Sequence, residues 1–407
     1  MKGTTNKASN FLTKYAMVIA LVIVFVLFAY LTDGRLLYAQ NMSNLMLQNG
    51  YVLVMACGML LCILTGGNID LSIGSVICLV GGLAAVMITS MGINPILTIV
   101  VCLVVGLLVG VWQGYWIGYV RIPPFITTLG GMFIFRGIGR LILDNKTVAI
   151  QDSTFLNIFT MYIKVPGLDD GEIALSAIIV GVVAALYVIF HTVKNRRDRA
   201  KNGYRQNSAA SDYIKAVLIA ALILYYCYLL SQYRGISVML VWVLAICLIY
   251  NFITAKTAFG RYFYAVGGNE KATKLSGINT DKIYFIAYAN MGLLAGLCGL
   301  LNAARVGSVN GSTGTSFEMD AIGACFIGGA SAYGGSGTVG GVVIALCCWA
   351  SSTWACPSWA SATPGSMWSR AACCWSRLSS TWSPAASLES KHSDPLPFGG
   401  NYVVYWN

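Results

Sequence analysis

The stretch LTIVVCLVVGLLVGVWQGYWIG, Leu97–Gly118, decides the fold. It carries no charged side chain, and its length matches the roughly 20 residues a helix needs to cross the hydrocarbon of a bilayer. Tyr15–Leu31 and Val52–Thr65 are similarly uninterrupted. None alternates as a barrel strand would, and only helices or closed barrels satisfy their backbone in lipid. Composition agrees, with 57% hydrophobic residues, 10% charged residues and a mean hydropathy of +0.70. A soluble domain carries about a quarter charged residues. The chain is therefore expected to be an all-α polytopic membrane protein.

Working outward, the apolar runs give spans at 15–31, 46–65, 74–90, 95–118, 124–143, 173–192, 213–230, 236–253 and 283–303. Beyond Glu318 the pattern shortens and becomes glycine-rich, so about ten transmembrane helices are expected, with short broken helices near the C-terminal part. The N-terminus leads into its apolar run without a small-residue cleavage site, which predicts an uncleaved first helix. The formal charge of +11 does not point to nucleic acid. The basic residues cluster in three short segments between spans: the N-terminus (Lys2, Lys7, Lys14), KNRRDRAKNGYR at Lys194–Arg205, and a segment with Lys256, Arg261, Lys271, Lys274 and Lys282.

The positive-inside tendency puts all three in the cytoplasm, which demands an even number of crossings between each pair. The spans give six and then two, so the N-terminus is expected to be cytoplasmic and Asp144–Asp170 external. Lys194–Arg205 reads as a solvated, flexible loop near anionic lipid headgroups, with no catalytic role. The 13 cysteines lie mostly within apolar runs, where buried thiols are inert, and there are two histidines. No metal site and no cofactor are expected.

Four segments carry information. LTGGNIDLSIGSV, Leu64–Val76, interrupts two apolar runs with glycines and one carboxylate. A carboxylate at membrane depth costs about 3 kcal/mol on insertion scales, so Asp70 must face protein, water or a partner. Either Asp70 and Ser72 cap the next helix, or Gly67, Asp70 and Ser72 belong to a broken segment that lines a pathway. RIPPFITTLGGMFIFRG, Arg121–Gly137, starts a helix with two prolines. Its Thr127 and Thr128 either face a polar cavity or sit at a close helix contact, packing being the simpler reading.

SFEMDAIGACFIGGASAYGGSGTVGG, Ser316–Gly341, sets Glu318 and Asp320 before a short apolar stretch. It lacks the lysine of a phosphate loop, and no such motif occurs elsewhere in the chain, so no nucleotide-hydrolysing domain is expected in it. Two half-helices joined by a glycine turn fit it better. The fourth segment is TAFGRYFYAVGGNEKATKLSGINT, Thr257–Thr280, basic and punctuated by Gly260, Gly267, Gly268 and Gly277. The glycines permit tight turns, and Glu270–Ser276 has helical propensity. A short amphipathic helix here would suit a soluble partner, although a plain connecting loop would tolerate the same composition.

GGNIDLSIGS, PPFITTLGG, FGRYFYAVGGNEKATKLSGIN and EMDAIGACFIGGASAYGGSGTVGG occur in order across Gly66–Gly341. Together they resemble the inner-membrane permease family of bacterial sugar ABC importers, the ribose, xylose and multiple-monosaccharide group. The basic insertion at Lys194–Arg205 and the GNIDLS wording look more like the xylose and multiple-monosaccharide permeases than the ribose ones. The resemblance implies a permease subunit that changes no bond, in the bacterial inner membrane. It further implies a separate ATP-hydrolysing subunit on the cytoplasmic side, an extracytoplasmic sugar-binding protein and a second permease copy. It places the coupling to the ATPase on Gly260, Arg261, Gly267, Gly268, Asn269, Glu270, Ala272, Ser276 and Gly277.

Two other classes compete. An ion-coupled secondary transporter would need paired intramembrane charges, for which Asp70 and the pair Glu318/Asp320 are the candidates. An integral-membrane enzyme would need a nucleophile with a base, or a metal cluster, which the near-absence of histidine disfavours.

The chain departs from the family after Leu346, so 1–346 is expected to be the permease domain and 347–407 a tail outside the native fold. CCWASSTWACPSWASATPGSMWSRAACCWSRLSSTWSP follows, and seven of the ten tryptophans lie in Trp349–Trp406. Trp and Met have one codon each, which allows a test. Reading one base earlier turns the codons of MWS (Met367–Ser369) into a pair of valines, those of TWACPSWA into alternating apolar and glycine codons, and those of CCW near Cys373 into apolar ones. The tail therefore reads as a frameshift product, the alternative being a genuine Trp-rich interfacial tail. Resequencing the gene across the codons for Gly340–Asp394 is expected to find one base missing or added; an intact frame would make the tail genuine.

Overall fold

A computed structural model describes residues 37–347 apart from 167, 168, 170–172 and 203–208, with scattered positions between 22 and 34. The tail after Cys347 and most of the first expected span lie outside the described residues. The long helices are α1 (Ala39–Leu64), α2 (Ile73–Thr89), α3 (Pro95–Gly118), α4 (Pro124–Ile142), α6 (Leu175–Lys201), α7 (Ala209–Ser231), α8 (Val238–Lys256) and α11 (Thr280–Val306). Shorter ones are α5 (Ser153–Thr160), α9 (Ala258–Gly268), α10 (Glu270–Leu275) and α12 (Phe317–Ile327), followed by a helical stretch over 339–347. Seven of these are long and apolar enough to cross a membrane, and α2 is a shorter apolar helix. The expected ten is thus not reached among the described residues.

The helix starts follow local chemistry. Asn94 caps α3 by accepting the Ile96 N–H at 2.9 Å, with Pro95 supplying the first helical residue. Pro124 does the same for α4, and Ser237 caps α8. The all-α expectation holds except for two small antiparallel pairs, β1 (Val148–Ala149) with β4 (Ser308–Val309), and β2 (Tyr162–Ile163) with β3 (Ile236–Ser237). Both pairs sit on the side of the bundle opposite α9 and α10, because α8 and α11 each run between the two sides.

One expectation for a loop is corrected, and one segment outside the spans carries structure that its turn-forming residues did not announce. The segment 144–170 contains α5, capped by Asp152 on the Phe155 N–H at 2.8 Å, and Phe155 and Phe159 one turn apart are fully buried. The basic block from Lys194 is not a flexible loop at its start: α6 continues to Lys201, because Lys and Arg are good helix formers and favour a helix C-terminus. Arg196 also reaches across to Asp212 of α7 at 2.7 Å. Residues 203–208 of the region lie outside the described part.

The core gathers around α1 and α11. Of their apolar windows 83% and 72% are buried, against 22–28% for α3, α4, α6, α7 and α8, which therefore form the periphery. The tightest contact is between α3 and α11. Gly106, Gly110, Gly114 and Gly118 recur every fourth residue and so line one stripe of α3. A Cβ at these positions would stand 2.8 Å from Gly292 O, 2.5 Å from Tyr288 O, 2.6 Å from Phe285 O and 2.7 Å from Asp281 O respectively. On α11, a Cβ at Gly292 would stand 2.5 Å from the Gly110 Cα. The helices meet backbone to backbone, the packing that small residues permit in membranes.

After α11 the chain turns at Gly307, pairs briefly as β4 and runs back into the bundle through successive turns over 311–316. Arg140 Nε donates to Gly311 O at 3.3 Å, and one turn lower on α4 Arg136 Nη1 donates to Thr313 O at 2.6 Å. Gly314 then abuts Gly74 at the start of α2. Below it, α12 and a glycine-rich turn lead into the helical stretch 339–347, as two half-helices around a glycine turn require.

Replacing Gly110 by Leu is expected to abolish recovery of folded protein, since overpacking costs ~1–3 kcal/mol or more and here meets rigid backbone. Gly137→Ala, which has open space beside it, is expected to leave recovery unchanged. Detergent size-exclusion profiles and thermal unfolding of the two variants check this.

Candidate functional site

The segment between α8 and α11 is built by three successive caps. Thr257 Oγ1 accepts the Gly260 N–H at 2.9 Å, Asn269 Oδ1 the Ala272 N–H at 3.0 Å and Asn279 Oδ1 the Lys282 N–H at 3.0 Å. They start α9, α10 and α11 in turn, so α10 is the short helix expected over Glu270–Ser276. The tight turns expected at Gly260, Gly267 and Gly268 are corrected: these lie within α9 in helical conformation. Gly260 and Gly267 are needed for close approach instead, since a Cβ there would collide with Ile253 O and Leu64 O. Gly277 does turn, at φ +83°. Gly268 has open space beside it, and Arg261, Asn269, Ala272 and Ser276 are exposed.

Leu275, on the same short helix, is 90% exposed, the largest value among the exposed hydrophobic side chains described. Sequence reasoning missed it, because a leucine after alanine and lysine in a helical stretch reads as the buried face.

Arg121, between α3 and α4, ties this segment to the bundle. Its Nη1 bonds Glu270 Oε1 at 2.7 Å, and its Nη2 bonds Thr280 Oγ1 at 3.1 Å and the Asp281 carboxylate. Its guanidinium also lies over the Tyr284 ring, and the Tyr284 hydroxyl donates to Glu270 Oε2 at 3.2 Å. Partial burial opposes the charged form of Arg121, but Glu270 and Asp281 outweigh it and raise its pKa. The side chains of Arg121 and Glu270 are 40% and 37% exposed, and such a pair contributes at most about 1 kcal/mol. Its role is positional. Arg121 is also held at φ +64°, a strained conformation that non-glycine residues adopt only where the surroundings impose it.

The structure brings three candidate segments together at the end of α1. Gly335 N donates to Leu64 O at 3.1 Å, and Tyr264 of α9 donates to Gly337 O at 2.8 Å. Gly67, at φ +74°, leaves no room between itself and Ala332 O. The GGNID, FGRYFYAVGG and GGASAYGGSG pieces, distant in sequence, thus share one contact.

Asp70 and Ser72 are buried, at 2% and 0% exposure. Asp70 Oδ1 accepts from Ser72 N at 2.8 Å and from Ser72 Oγ at 2.7 Å, and Ser72 Oγ accepts from Gln113 Nε2 at 2.6 Å. This relay joins the α1–α2 linker to α3, and Gln113 was missed because it is a single polar residue inside an apolar run. The capping reading is corrected: neither side chain accepts an N–H of α2, and Asp70 instead holds Ser72, the residue before the helix. Thr127 and Thr128 are buried, but their hydroxyls bond Pro123 O and Pro124 O of their own helix at 3.4 and 2.9 Å. Both hydroxyls are thus satisfied within their own segment of chain.

Glu318 and Asp320 stand in the first turn of α12, where the helix dipole favours anions. Glu318 is 9% exposed, its carboxylate lies against Gly74, and Oε2 has no hydrogen-bond partner among the described residues. Asp320 is half-buried. No cluster of His, Cys, Asp or Glu able to hold a metal occurs among the described residues.

Apolar spans, an exposed short helix latched to the bundle, and buried polar segments interrupting it describe a polytopic helical membrane protein. A family model described as branched-chain amino acid transport system / permease component matches residues 41–364, and the chain belongs to that family. It is 37% identical over 330 residues to the xylose transport system permease protein of Haemophilus influenzae, covering 81% of this chain and 85% of that one. To the galactose/methyl galactoside import permease protein of Salmonella typhimurium it is 30% identical over 337 residues, covering 79% and 81%. To the ribose import permease protein of Escherichia coli it is 29% identical over 305 residues, covering 75% and 74%. No solved structure gives a significant match. The relatives are transport permeases rather than enzymes, and the chain is a multi-pass protein of the inner membrane.

Ser72→Ala leaves both Asp70 and Gln113 short of a buried partner, each worth ~1–3 kcal/mol, and is expected to lower the unfolding temperature by several degrees. Thr128→Val loses only a bond to its own helix and is expected to shift it by less than half as much. Thermal unfolding in detergent compares the two.

Proposed function

We propose that this chain is the membrane subunit of an ATP-binding-cassette importer for monosaccharides, pentoses of the xylose type first among them. The substrate class follows the names of the relatives, the xylose permease being more similar than the ribose and galactose permeases. A separate ATPase docks on α10 from the cytoplasm, a sugar-loaded binding protein docks on the opposite face, and two copies of the chain form the membrane path. In this reading the N-terminus is cytoplasmic, residues 1–346 form the permease domain, and the tail from Cys347 is out of frame, although the family match runs on to residue 364.

The observation that carries the proposal is Leu275, exposed on a capped helix that Arg121 fastens to α11 and to the α3–α4 corner. An apolar side chain held into solvent on a rigid mount suits a groove in a partner. ATP-driven closure of that partner would bias the permease between two packings. Ion-coupled transport, resting on Asp70 and Glu318, would instead draw on a gradient.

In proteoliposomes with the ATPase and binding protein, Leu275→Asp is expected to reduce sugar-stimulated ATP hydrolysis about tenfold or more. The double change Gly268→Trp with Glu270→Lys is expected to do the same, with normal amounts of the chain in the membrane. Uptake is expected to stop with vanadate and to continue with a protonophore. Wild-type uptake in both variants would refute the docking assignment, and the reverse inhibitor pattern would favour ion coupling.

A further inference from the structure

Arg136 and Arg140 lie within the spanning helix α4, Arg140 exposed and Arg136 partly so. Arg140 stands in the last turn of α4 and Arg136 one turn further in; a guanidinium facing lipid costs up to ~2.5–3.5 kcal/mol at a helix centre and less toward an end, so Arg136 above all must face protein or a water-filled cavity. The neighbour that both reach is the non-helical, turn-rich stretch 310–316, whose Ser312, Thr315 and Ser316 are themselves exposed. Non-helical backbone at membrane depth is tolerated only when it is buried in protein or lines water. Two separate costs, one of charge and one of backbone, therefore forbid lipid over the same face.

The depth of this face is fixed by its contacts. Gly311 is level with Arg140, Thr313 with Arg136 one turn lower, and Gly314 with Gly74 at the start of α2. The stretch thus descends from the β1–β4 side toward the middle of the bundle. At its lower end Glu318 Oε2 lies against Gly74, and both it and Ser75 Oγ are buried with no hydrogen-bond partner among the described residues. An unmade buried hydrogen bond costs ~1–3 kcal/mol, which a hydroxyl-bearing solute would relieve. Above them the face offers guanidinium donors and serine and threonine hydroxyls.

We propose that Arg140, Ser312 and Thr315 line the external half of a water-filled path and contact the hydroxyls of the passing sugar, with Arg136 positioning the stretch by holding Thr313 O. The path hands the solute down to Glu318 and Ser75. The inference rests on the monosaccharide reading above, and deepens it by naming the side chains that touch a neutral polyol.

The test uses the full chain, assembled with its ATPase and binding protein, and a charged, membrane-impermeant thiol reagent added outside. Ser312→Cys is expected to be labelled above the background of the unsubstituted chain. Thr147→Cys, exposed beside β1 on the same side, reports that the reagent reaches that side, and Val183→Cys, exposed on the apolar flank of α6, is expected to stay unlabelled. Labelled Ser312→Cys is expected to lose monosaccharide uptake at least tenfold, while labelled Thr147→Cys keeps it. If Ser312→Cys does not fold, Thr315→Cys takes its place.

An unlabelled Ser312→Cys beside a labelled Thr147→Cys would overturn the inference and place a protein partner over the face. So would labelling that leaves uptake intact. Absence of monosaccharide uptake by the unsubstituted chain would instead count against the substrate reading, while the labelling pattern still decides whether the face is wet.

Discussion

The bare contact between α3 and α11 is the constraint on which the rest of the structure depends. In lipid no hydrophobic force drives helices together, so a stripe without side chains on one helix, meeting glycines and main-chain atoms on the other, gains its stability from close dispersion contact. That closeness fixes α11 as a central helix, and the position of α11 fixes much else. Its lower end carries Asp281 and Tyr284, which hold Arg121 and through it α10. Its upper end delivers the chain into β4 and the turn-rich stretch that runs down beside α2 and α4.

The second organising contact is the one at the end of α1, where three glycine-rich pieces meet. Each glycine there serves a different need: Gly67 a left-handed turn under Ala332, Gly267 contact with Leu64 O, Gly335 the approach of its own N–H to that same carbonyl. The carbonyl of Leu64, left unsatisfied by the end of α1, is thereby given a partner, as helix termini require. Three of the four family-like motifs thus meet in one joint.

Much of this was legible in the sequence, because membrane helices are long apolar runs and their ends are marked by polar caps. Asn94-Pro95 and the asparagines before α10 and α11 announce themselves locally. What stayed hidden needed a neighbour to be seen. The four-residue period of Gly106, Gly110, Gly114 and Gly118 is plain once noticed, but nothing local says which helix it faces. Gln113 is one amide in an apolar run, and only the arrival of Ser72 gives it a partner. Leu275 sits in a helical stretch that would normally bury it, and its exposure is a tertiary fact. The glycines of α9 were misread because glycine marks both turns and close contacts, and sequence does not separate the two. The helical continuation of α6 through its basic end was lost to a similar ambiguity between a solvated loop and a charged helix terminus.

Because α11 is unbroken over 27 residues, or about 40 Å at the usual helical rise, it joins the latch on one side of the membrane to the head of the non-helical stretch on the other. The glycine seam grips its first half, with α3 against Asp281, Phe285, Tyr288, Gly292 and Gly296. The helix is therefore held like a lever clamped at one end. A small tilt of α3 together with that end must reappear, magnified, at Gly307, moving the top of the stretch 308–316 without any residue between them having to unfold.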